Sequence, residues 1–185
     1  MFHALNLFEL SILDSLYDAA HSLFLDRVTT VLSFLGDSGA IFIVLGCALL
    51  FFKRTRITGV IILTSLIFSL LLVNLFFKPV LFRERPFMLE AQHILLVPPL
   101  HDGSFPSGHT SVAFASAVSL LSLNRKRWFA AAVAFALLMG FSRLYLYMHY
   151  PTDVAFGALC GALCGWLSIA LWRKILLKAP SSDIA

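Results

Sequence analysis

Five apolar runs, separated by short polar segments, constrain the fold of this chain more than any other feature of its sequence. A helix needs about 20 predominantly apolar residues to cross the hydrocarbon core of a membrane. The runs that approach this length are Gly39–Phe52, Ile57–Phe77, Ser107–Leu123, Trp128–Tyr147 and Val154–Trp172. The first is short unless its helix begins near Leu35. None shows the alternation of a barrel strand, so we predict an all-α fold, a polytopic membrane helical bundle with five spans.

The composition agrees with a membrane protein. Hydrophobic residues make up 59% of the 185 residues and charged residues 13%, whereas soluble domains carry about 25% charged residues. A soluble chain of this size has too little interior to bury so much apolar surface. A disordered chain, a secreted disulfide scaffold and an ordinary cytosolic enzyme are therefore excluded. The net charge of +4 fits membrane anchoring by loops better than nucleic-acid binding, and no nucleic-acid partner is expected.

We predict a single membrane-embedded domain over residues 1–185. Residues 1–35 carry apolar positions at helical spacing, interrupted by acidic residues such as Glu9, Asp14 and Asp26. This pattern predicts one or two amphipathic helices in the outer interface, with a tilted sixth span as the alternative. Residues 36–178 form the bundle, and residues 179–185 form a short polar tail. A glycine ladder in the last run predicts close packing against another span or against a second copy of the chain.

The basic residues predict the orientation. With five crossings, nine of the 14 Lys and Arg residues fall on one side, which is therefore cytoplasmic. They are Lys53, Arg54, Arg56, Arg125, Lys126, Arg127, Arg173, Lys174 and Lys178. The other five are Arg27, Lys78, Arg83, Arg85 and Arg143. Positive charge on the extracytoplasmic side of a multi-pass protein of the cell membrane (the inner or plasma membrane) indicates a use, such as binding an anion.

Three polar clusters meet that side of the bundle. They are Lys78–Pro86, Pro106–His109 and Ser142–Asp153. Each has an ordinary structural interpretation, because interfacial cations can anchor a helix, a Ser can cap one, and a His–Asp pair can be a structural hydrogen bond. Two histidines, an Asp and three cations at one depth together fit phosphoryl chemistry.

The residue types in these clusters match the needs of a bound phosphate. Arg85 and Arg143 offer forked donors, and Lys78 offers a point charge. Ser107 and Gly108 open a predicted helix, where backbone N–H groups can face an anion. The missing side chain of Gly108 lets the phosphate approach closely.

The two histidines fit nucleophilic and acid catalysis. A neutral imidazole can attack phosphorus, and Asp153, one turn from His149, is placed to fix its tautomer. His109 can then protonate the leaving oxygen. A zinc site of His109, His149 and Asp153 is the alternative, but the surrounding cations argue against it. No metal or other cofactor is expected.

The three clusters together resemble the signature of the phosphatidic acid phosphatase type 2 superfamily. The matching positions are Lys78-x6-Arg85-Pro86, Pro106-Ser-Gly-His109 and Ser142-Arg143-x5-His149-x3-Asp153. The resemblance covers roughly residues 26–172 and implies a helical bundle that dephosphorylates its substrate through a phosphohistidine without metal. It implies His149 as nucleophile, Asp153 as the residue that orients it and His109 as general acid. The phosphate ligands that it implies are Lys78, Arg85, Ser107, Gly108 and Arg143.

The resemblance leaves the substrate open among lipid phosphates. The chain looks most like small bacterial enzymes that convert undecaprenyl pyrophosphate to undecaprenyl phosphate for cell-wall synthesis. A phosphatidylglycerophosphate or phosphatidate phosphatase, or a lipid phosphotransferase, is the alternative. A non-catalytic headgroup binder and a channel are rivals from other classes. The segment Phe87–Phe105 either covers the site and guides a lipid chain or is an interfacial helix without a role in specificity.

Overall fold

The computed structural model describes residues 3–90 and 94–178, and this part of the chain is helical without a strand. Its helices are α1 (His3–Ala20), α2 (Leu23–Gly36), α3 (Ala40–Leu50), α4 (Arg56–Ser69), α5 (Lys78–Val80), α6 (Pro86–Leu89), α7 (Gly108–Ser119), α8 (Lys126–Tyr145) and α9 (Pro151–Lys178). The predicted all-α bundle is confirmed. The polar tail 179–185 lies outside the described residues.

Each predicted apolar run contains a helix, but the lengths differ from the prediction. Among the described residues, four helical stretches are long and apolar enough to cross a membrane: Leu23–Leu50, Arg56–Val80, Lys126–Tyr145 and Pro151–Leu177. The apolar helix Gly108–Leu123 is shorter, so five spans remain a prediction. The second stretch is long because a π-helical turn, Leu70–Phe77, joins α4 to α5.

The first candidate span is longer than the sequence predicted, because α2 and α3 follow each other across a single tight turn. Ser38 and Gly39 in that turn have φ values of 54° and 70°, the left-handed region that glycine adopts readily. The turn redirects the chain and leaves Asp37 exposed beside α7. The candidate span therefore includes α2, which lies in the amino-terminal segment that was predicted to lie in the membrane interface.

The glycine ladder of α9 packs inside the chain. A Cβ atom added to any of its three glycines would collide with a carbonyl oxygen of α7, in the pairs Gly157–Ser107, Gly161–Ser111 and Gly165–Ala115. The two backbones therefore touch along their length, and this contact fixes how far α7 can slide along α9. Hydroxyl pairs join α7 to α4 in the same way, since Ser69 and Ser111 lie 2.7 Å apart.

The two amino-terminal helices pack on the carboxyl end of α8. Asp26 of α2 accepts a hydrogen bond from the Tyr145 hydroxyl at 2.6 Å, and Asp14 of α1 accepts one from the Tyr147 hydroxyl at 2.8 Å. The predicted pair of helices therefore forms, but its acidic residues bind protein groups rather than only interrupting an apolar face. The same end of the bundle holds the ends of α5 and α8 and the beginnings of α7 and α9.

Candidate active site

The structure brings all eight predicted site residues to this one end of the bundle. They are Lys78, Arg85, Ser107, Gly108, His109, Arg143, His149 and Asp153. Each comes from a helix end or the turn beside it, so the helices fix their positions. Arg85, Arg143, His149 and Asp153 are buried, with at most 1% of each residue exposed. Charges held so far from water need partners, and those partners define the site.

His149 lies in the turn between α8 and α9 with one ring nitrogen committed. Its Nδ1 atom lies 2.7 Å from the carbonyl oxygen of Ser104 and donates to it. The other nitrogen, Nε2, therefore carries the lone pair and lies 3.3 Å from Nη1 of Arg85. Burial, followed by the charge of Arg85, lowers the pKa of His149 to about 3. The imidazole is thus neutral near pH 7 and can act as a nucleophile through Nε2.

Asp153 stands in the first turn of α9 and holds the surroundings of His149. Its Oδ2 atom lies 3.6 Å from Nδ1 of His149 and accepts hydrogen bonds from the Ser104 hydroxyl and from the amide of Tyr150. The nearest acceptor to Nδ1 is the Ser104 carbonyl rather than the carboxylate that the sequence predicted. Asp153 can still stabilise an imidazolium at that distance and orients it jointly with Ser104.

Two of the predicted phosphate ligands share a carboxylate. Asp102 forms ion pairs with Lys78 and, at 2.7 Å, with Nη2 of Arg85. Burial alone would raise the pKa of Asp102, but the hydrogen bond from Lys78 and the charges of Lys78 and Arg85 lower it to about 2. The segment before α7 thus places its own anion on the cations that were predicted to bind a phosphate.

Arg143, near the end of α8, has donors to spare. Its Nε atom lies 3.3 Å from the Ser142 hydroxyl, and its Nη2 atom has no hydrogen-bond partner among the residues that the structure describes. The guanidinium lies within electrostatic range of Asp37 and Arg85. A buried donor without an acceptor is unfavourable by about 1–3 kcal/mol, or more for a charged group. An anion bound here would restore the missing hydrogen bond.

His109 occupies the first turn of α7, and its Nε2 atom lies 3.1 Å from Oδ1 of Asp37. Gly36 leaves room for the ring, because a Cβ atom there would come within 2.6 Å of Cδ2 of His109. The turn between α2 and α3 therefore supplies both a hydrogen-bond partner and space for this histidine. The sequence analysis gave Asp37 no role.

The start of α7 fits the predicted phosphate loop only in part. Ser107 caps the helix, since its hydroxyl accepts from the amide of Thr110 at 3.4 Å. The amide of Ser107 itself donates to the carbonyl of Asp153 at 3.0 Å, so it is already engaged, contrary to the prediction that both amides face the anion. At Gly108 a Cβ atom would lie 3.9 Å from Nζ of Lys78, and its absence keeps the space beside that ammonium open.

Five of the eight predicted site residues line one end of a cavity of about 900 Å³. Lys78, Arg85, His109 and His149 line its polar part. Its walls become apolar further along, with side chains from α3, from α4 and from the π-helical turn: Ile43, Leu63, Leu66, Ile67 and Leu70. A charged head and an apolar chain can therefore occupy one continuous space.

The described residues contain no group of three or more His, Cys, Asp and Glu side chains placed to hold a metal ion. The two histidines of the site instead have separate partners. His109 pairs with Asp37, and His149 pairs with Ser104 and Asp153. The cations Lys78 and Arg85 line the same cavity as both histidines. The donor set therefore fits an anion better than a divalent cation.

Sequence reasoning missed several residues that the site uses. Arg83 resembled an interfacial anchor, yet it is buried and forms an ion pair with Asp153. Glu9 resembled an interruption of an amphipathic helix, yet it is buried and forms an ion pair with Arg83. Asp102 and Ser104 could have been found only from their position just before the Pro-Ser-Gly-His string. Arg83 had only its position two residues before Arg85.

Comparisons with known proteins find similar sequences and similar folds. The profile of the PAP2 superfamily matches residues 58–176. The chain is 35% identical over 123 residues to an undecaprenyl-diphosphatase of Sulfolobus acidocaldarius, an alignment that covers 66% of this chain and 59% of the relative. The chain thus spans under two thirds of that relative's length.

Two crystal structures share the fold. Aquifex aeolicus LpxE is 31% identical with a TM-score of 0.77, and the match covers 87% of this chain and 94% of that one. A transmembrane PAP2 type phosphatidylglycerolphosphate phosphatase from Bacillus subtilis is 27% identical with a TM-score of 0.74, covering 93% of this chain and 88% of that one.

Proposed function

Because the chain belongs to the PAP2 superfamily, we propose that it is an integral membrane lipid phosphatase that hydrolyses a lipid phosphate or pyrophosphate through a phosphohistidine. One observation carries the proposal. The neutral Nε2 atom of His149 accepts from Arg85 at the head of a cavity whose walls become apolar. A nucleophile, an anion site and room for a lipid chain therefore share one space.

The reaction proceeds in two displacements at phosphorus. Nε2 of His149 attacks, an N–P bond forms, and the bond from phosphorus to the leaving oxygen breaks. His109 donates a proton to that oxygen, and Asp153 stabilises the imidazolium that results. A water molecule, deprotonated by His109, then attacks the phosphohistidine and releases inorganic phosphate. Lys78, Arg85 and Arg143 stabilise the charge that builds on the phosphoryl oxygens.

The proposed reaction needs no metal, because three protein cations act where a divalent ion would otherwise neutralise the phosphate. Arg143 contributes most clearly, since its Nη2 atom lacks an acceptor among the described residues. Phosphate release should therefore persist in EDTA. Complete loss in EDTA that magnesium restores would contradict the mechanism.

We place the site on the extracytoplasmic face. The basic loop Lys53–Arg56 and the run Arg125–Arg127 lie at the ends of α3 and α7 that are remote from the site. Short loops rich in Lys and Arg stay in the cytoplasm. An impermeant thiol reagent applied to intact cells should not label a Cys introduced at Arg125, and such labelling would reverse the orientation.

Undecaprenyl pyrophosphate is our first candidate substrate, supported by the name of the Sulfolobus relative and by the long apolar wall of the cavity. Phosphatidylglycerophosphate is the second, supported by the Bacillus structure. The test is phosphate release by the purified protein, in detergent with EDTA, from a panel that contains both lipids, phosphatidate and lipid A. His149→Gln is the control, since it removes the nucleophile while preserving a similar side-chain volume.

A further inference from the structure

We infer that Arg83 and Glu9 position the catalytic pair, with Glu9 acting through Arg83 on Asp153. The inference rests on the proposed function and extends it to the amino-terminal helix α1. Arg83 lies within the first signature cluster and Glu9 lies outside all three. Neither is predicted to be the nucleophile, the general acid or a phosphate ligand. The structure nonetheless joins both to Asp153 through buried polar contacts.

Every nitrogen of the Arg83 guanidinium has an acceptor. Nη1 lies 2.5 Å from Oδ1 of Asp153 and 2.8 Å from the hydroxyl of Thr152. Nη2 binds Glu9, and Nε lies 2.8 Å from Oδ1 of Asn6. The group is therefore committed on both sides, toward α9 and toward α1. Because these nitrogens are engaged by protein acceptors, Arg83 reaches the site through Asp153 rather than as a phosphate ligand.

The backbone of Arg83 reaches the nucleophile by a second route. Its carbonyl oxygen accepts from the amide of Ser104 at 2.8 Å. The carbonyl of Ser104 in turn accepts from Nδ1 of His149, and the Ser104 hydroxyl donates to Asp153. One residue thus fixes both acceptors near the imidazole, Ser104 through the main chain and Asp153 through the side chain.

Glu9 completes the arrangement with the opposite charge. It is 2% exposed, and its Oε1 atom accepts from the amide of Thr152 at 2.7 Å. Without Glu9, the Arg83 charge would act on the Asp153 carboxylate alone and would leave it less able to stabilise an imidazolium on its other side. Glu9 offsets part of the Arg83 charge and also holds the first turn of α9 by two atoms of Thr152.

The Asp153 carboxylate is contacted by the amide of Tyr150 and by three side chains from different segments. His149 faces it from the turn before α9, Ser104 from the segment before α7, and Arg83 from the segment between α5 and α6. Glu9 faces Arg83 from α1. A change at Glu9 can reach Asp153 through Arg83 or through the turn that holds Thr152; we infer the first route, and the double variant below tells the two apart.

The test compares Glu9→Gln with Asp14→Asn, a matched control on the same helix. Asp14 also accepts a hydrogen bond from the segment around His149, through the Tyr147 hydroxyl, but it is not among the described partners of Arg83. For phosphate release from undecaprenyl pyrophosphate in detergent, we expect Glu9→Gln to lower kcat about tenfold with KM changed by less than about twofold. Asp14→Asn should leave both constants within about twofold.

Two more variants separate positioning from loss of folding. Arg83→Gln should lower kcat more than Glu9→Gln, and the double variant should lose no more than Arg83→Gln alone, because Glu9 acts through Arg83. Glu9→Asp keeps the charge and should recover part of the lost kcat. Equal losses in Glu9→Gln and Asp14→Asn, a change in KM alone, or multiplying effects in the double variant would overturn the inference.

A readout without turnover keeps this inference separate from the proposed function. The ¹⁵N chemical shift of Nδ1 of His149, assigned by its absence in His149→Gln, should move in Glu9→Gln and stay in place in Asp14→Asn. If the wild-type protein releases phosphate from no lipid of the panel, the proposed function fails. The ¹⁵N shift then decides by itself whether Glu9 positions the imidazole of His149. An unmoved shift in Glu9→Gln would overturn the inference.

Discussion

Arg85 Nη1 lies 3.3 Å from Nε2 of His149, so a predicted phosphate ligand donates to the atom proposed as the nucleophile. The same guanidinium holds the carbonyl of Met148 at 2.7 Å and the carboxylate of Asp102. A phosphate that binds Arg85 would therefore release the lone pair of Nε2. In the proposed mechanism, binding and activation of the nucleophile would then be coupled through one side chain.

Arg85→Lys should accordingly change both kcat and KM. A lysine offers a point charge without the fork, so it cannot hold the phosphate and the loop carbonyls together. We expect kcat/KM to fall by about 100-fold, a loss of about 3 kcal/mol typical of charge-assisted hydrogen bonds. Steady-state kinetics on the preferred lipid measure this. A rise in KM with unchanged kcat would mean that Arg85 only binds.

The two histidines should differ in their response to the leaving group. His149→Ala should abolish hydrolysis of every substrate, because no N–P bond can form. His109→Ala should lose at least about tenfold more activity on alkyl monophosphates than on pyrophosphates, whose leaving group needs little protonation. The rates are compared under identical detergent conditions. Equal proportional losses would count against His109 as the acid, and a phosphoenzyme in His149→Ala but not in His109→Ala would reverse the roles.

Asp102→Asn should tighten the binding of inorganic phosphate and vanadate. The carboxylate occupies Lys78 and Arg85 and competes with any incoming anion, so its neutralisation should lower the inhibition constants by about three- to tenfold. Glu84→Gln is the control, because it removes a charge from an exposed residue of the same region. Weaker inhibition in Asp102→Asn than in the control would show that Asp102 supports the cations rather than competing for them.

The protein should lose stability as the pH falls below 6.5. The pKa of His149 is 6.5 in the unfolded chain and about 3 in the fold, so between these values the unfolded state binds the proton and the folded state does not. Stability therefore rises with pH across this window. The Tm in detergent should fall from pH 7 to pH 4.5, and by less in His149→Gln. An equal fall in both proteins would contradict the low pKa.

Gly161→Ala should destabilise the protein although alanine ordinarily favours a helix. The new Cβ atom would collide with backbone of α7 at Ser111, which cannot rotate away, and overpacking of this kind is unfavourable by about 1–3 kcal/mol. Gly46→Ala is the control, because its nearest contact is the flexible side chain of Leu63 at 2.8 Å. Thermal unfolding in detergent compares them, and a smaller loss in Gly161→Ala would contradict the packing argument.

The sequence was sufficient to predict that the residues with chemistry suited to a phosphate lie together. Lys78, Arg85, His149 and Asp153 carry groups that few tasks other than phosphoryl transfer would gather on one side of a membrane, and helix ends alone bring them together. Apolar run length likewise predicts a helix wherever the backbone must satisfy itself in lipid. These parts of the fold and of the site needed no knowledge of packing.

The features that the sequence did not predict depend on contacts between particular residues. Glu9 and Arg83 are far apart in sequence, and no periodicity in residues 1–35 distinguishes a buried carboxylate from one that faces water. The engagement of the Ser107 amide by Asp153 depends on the close approach of α7 and α9. The turn between α2 and α3 requires a positive φ at Ser38. Serine rarely adopts such a φ, so the surrounding sequence did not indicate a turn there.

The contact between the glycines of α9 and the carbonyls that face them should make the geometry of the candidate site insensitive to the thickness of the surrounding bilayer. A thinner or thicker membrane changes the tilt of a helix at modest energetic cost. Sliding α7 along α9 would instead drive three glycines across backbone atoms. Because His109 lies in the first turn of α7 and Asp153 in the first turn of α9, we expect the two residues to keep their separation. Lipid composition can then change how a substrate reaches the site without changing the distances inside it.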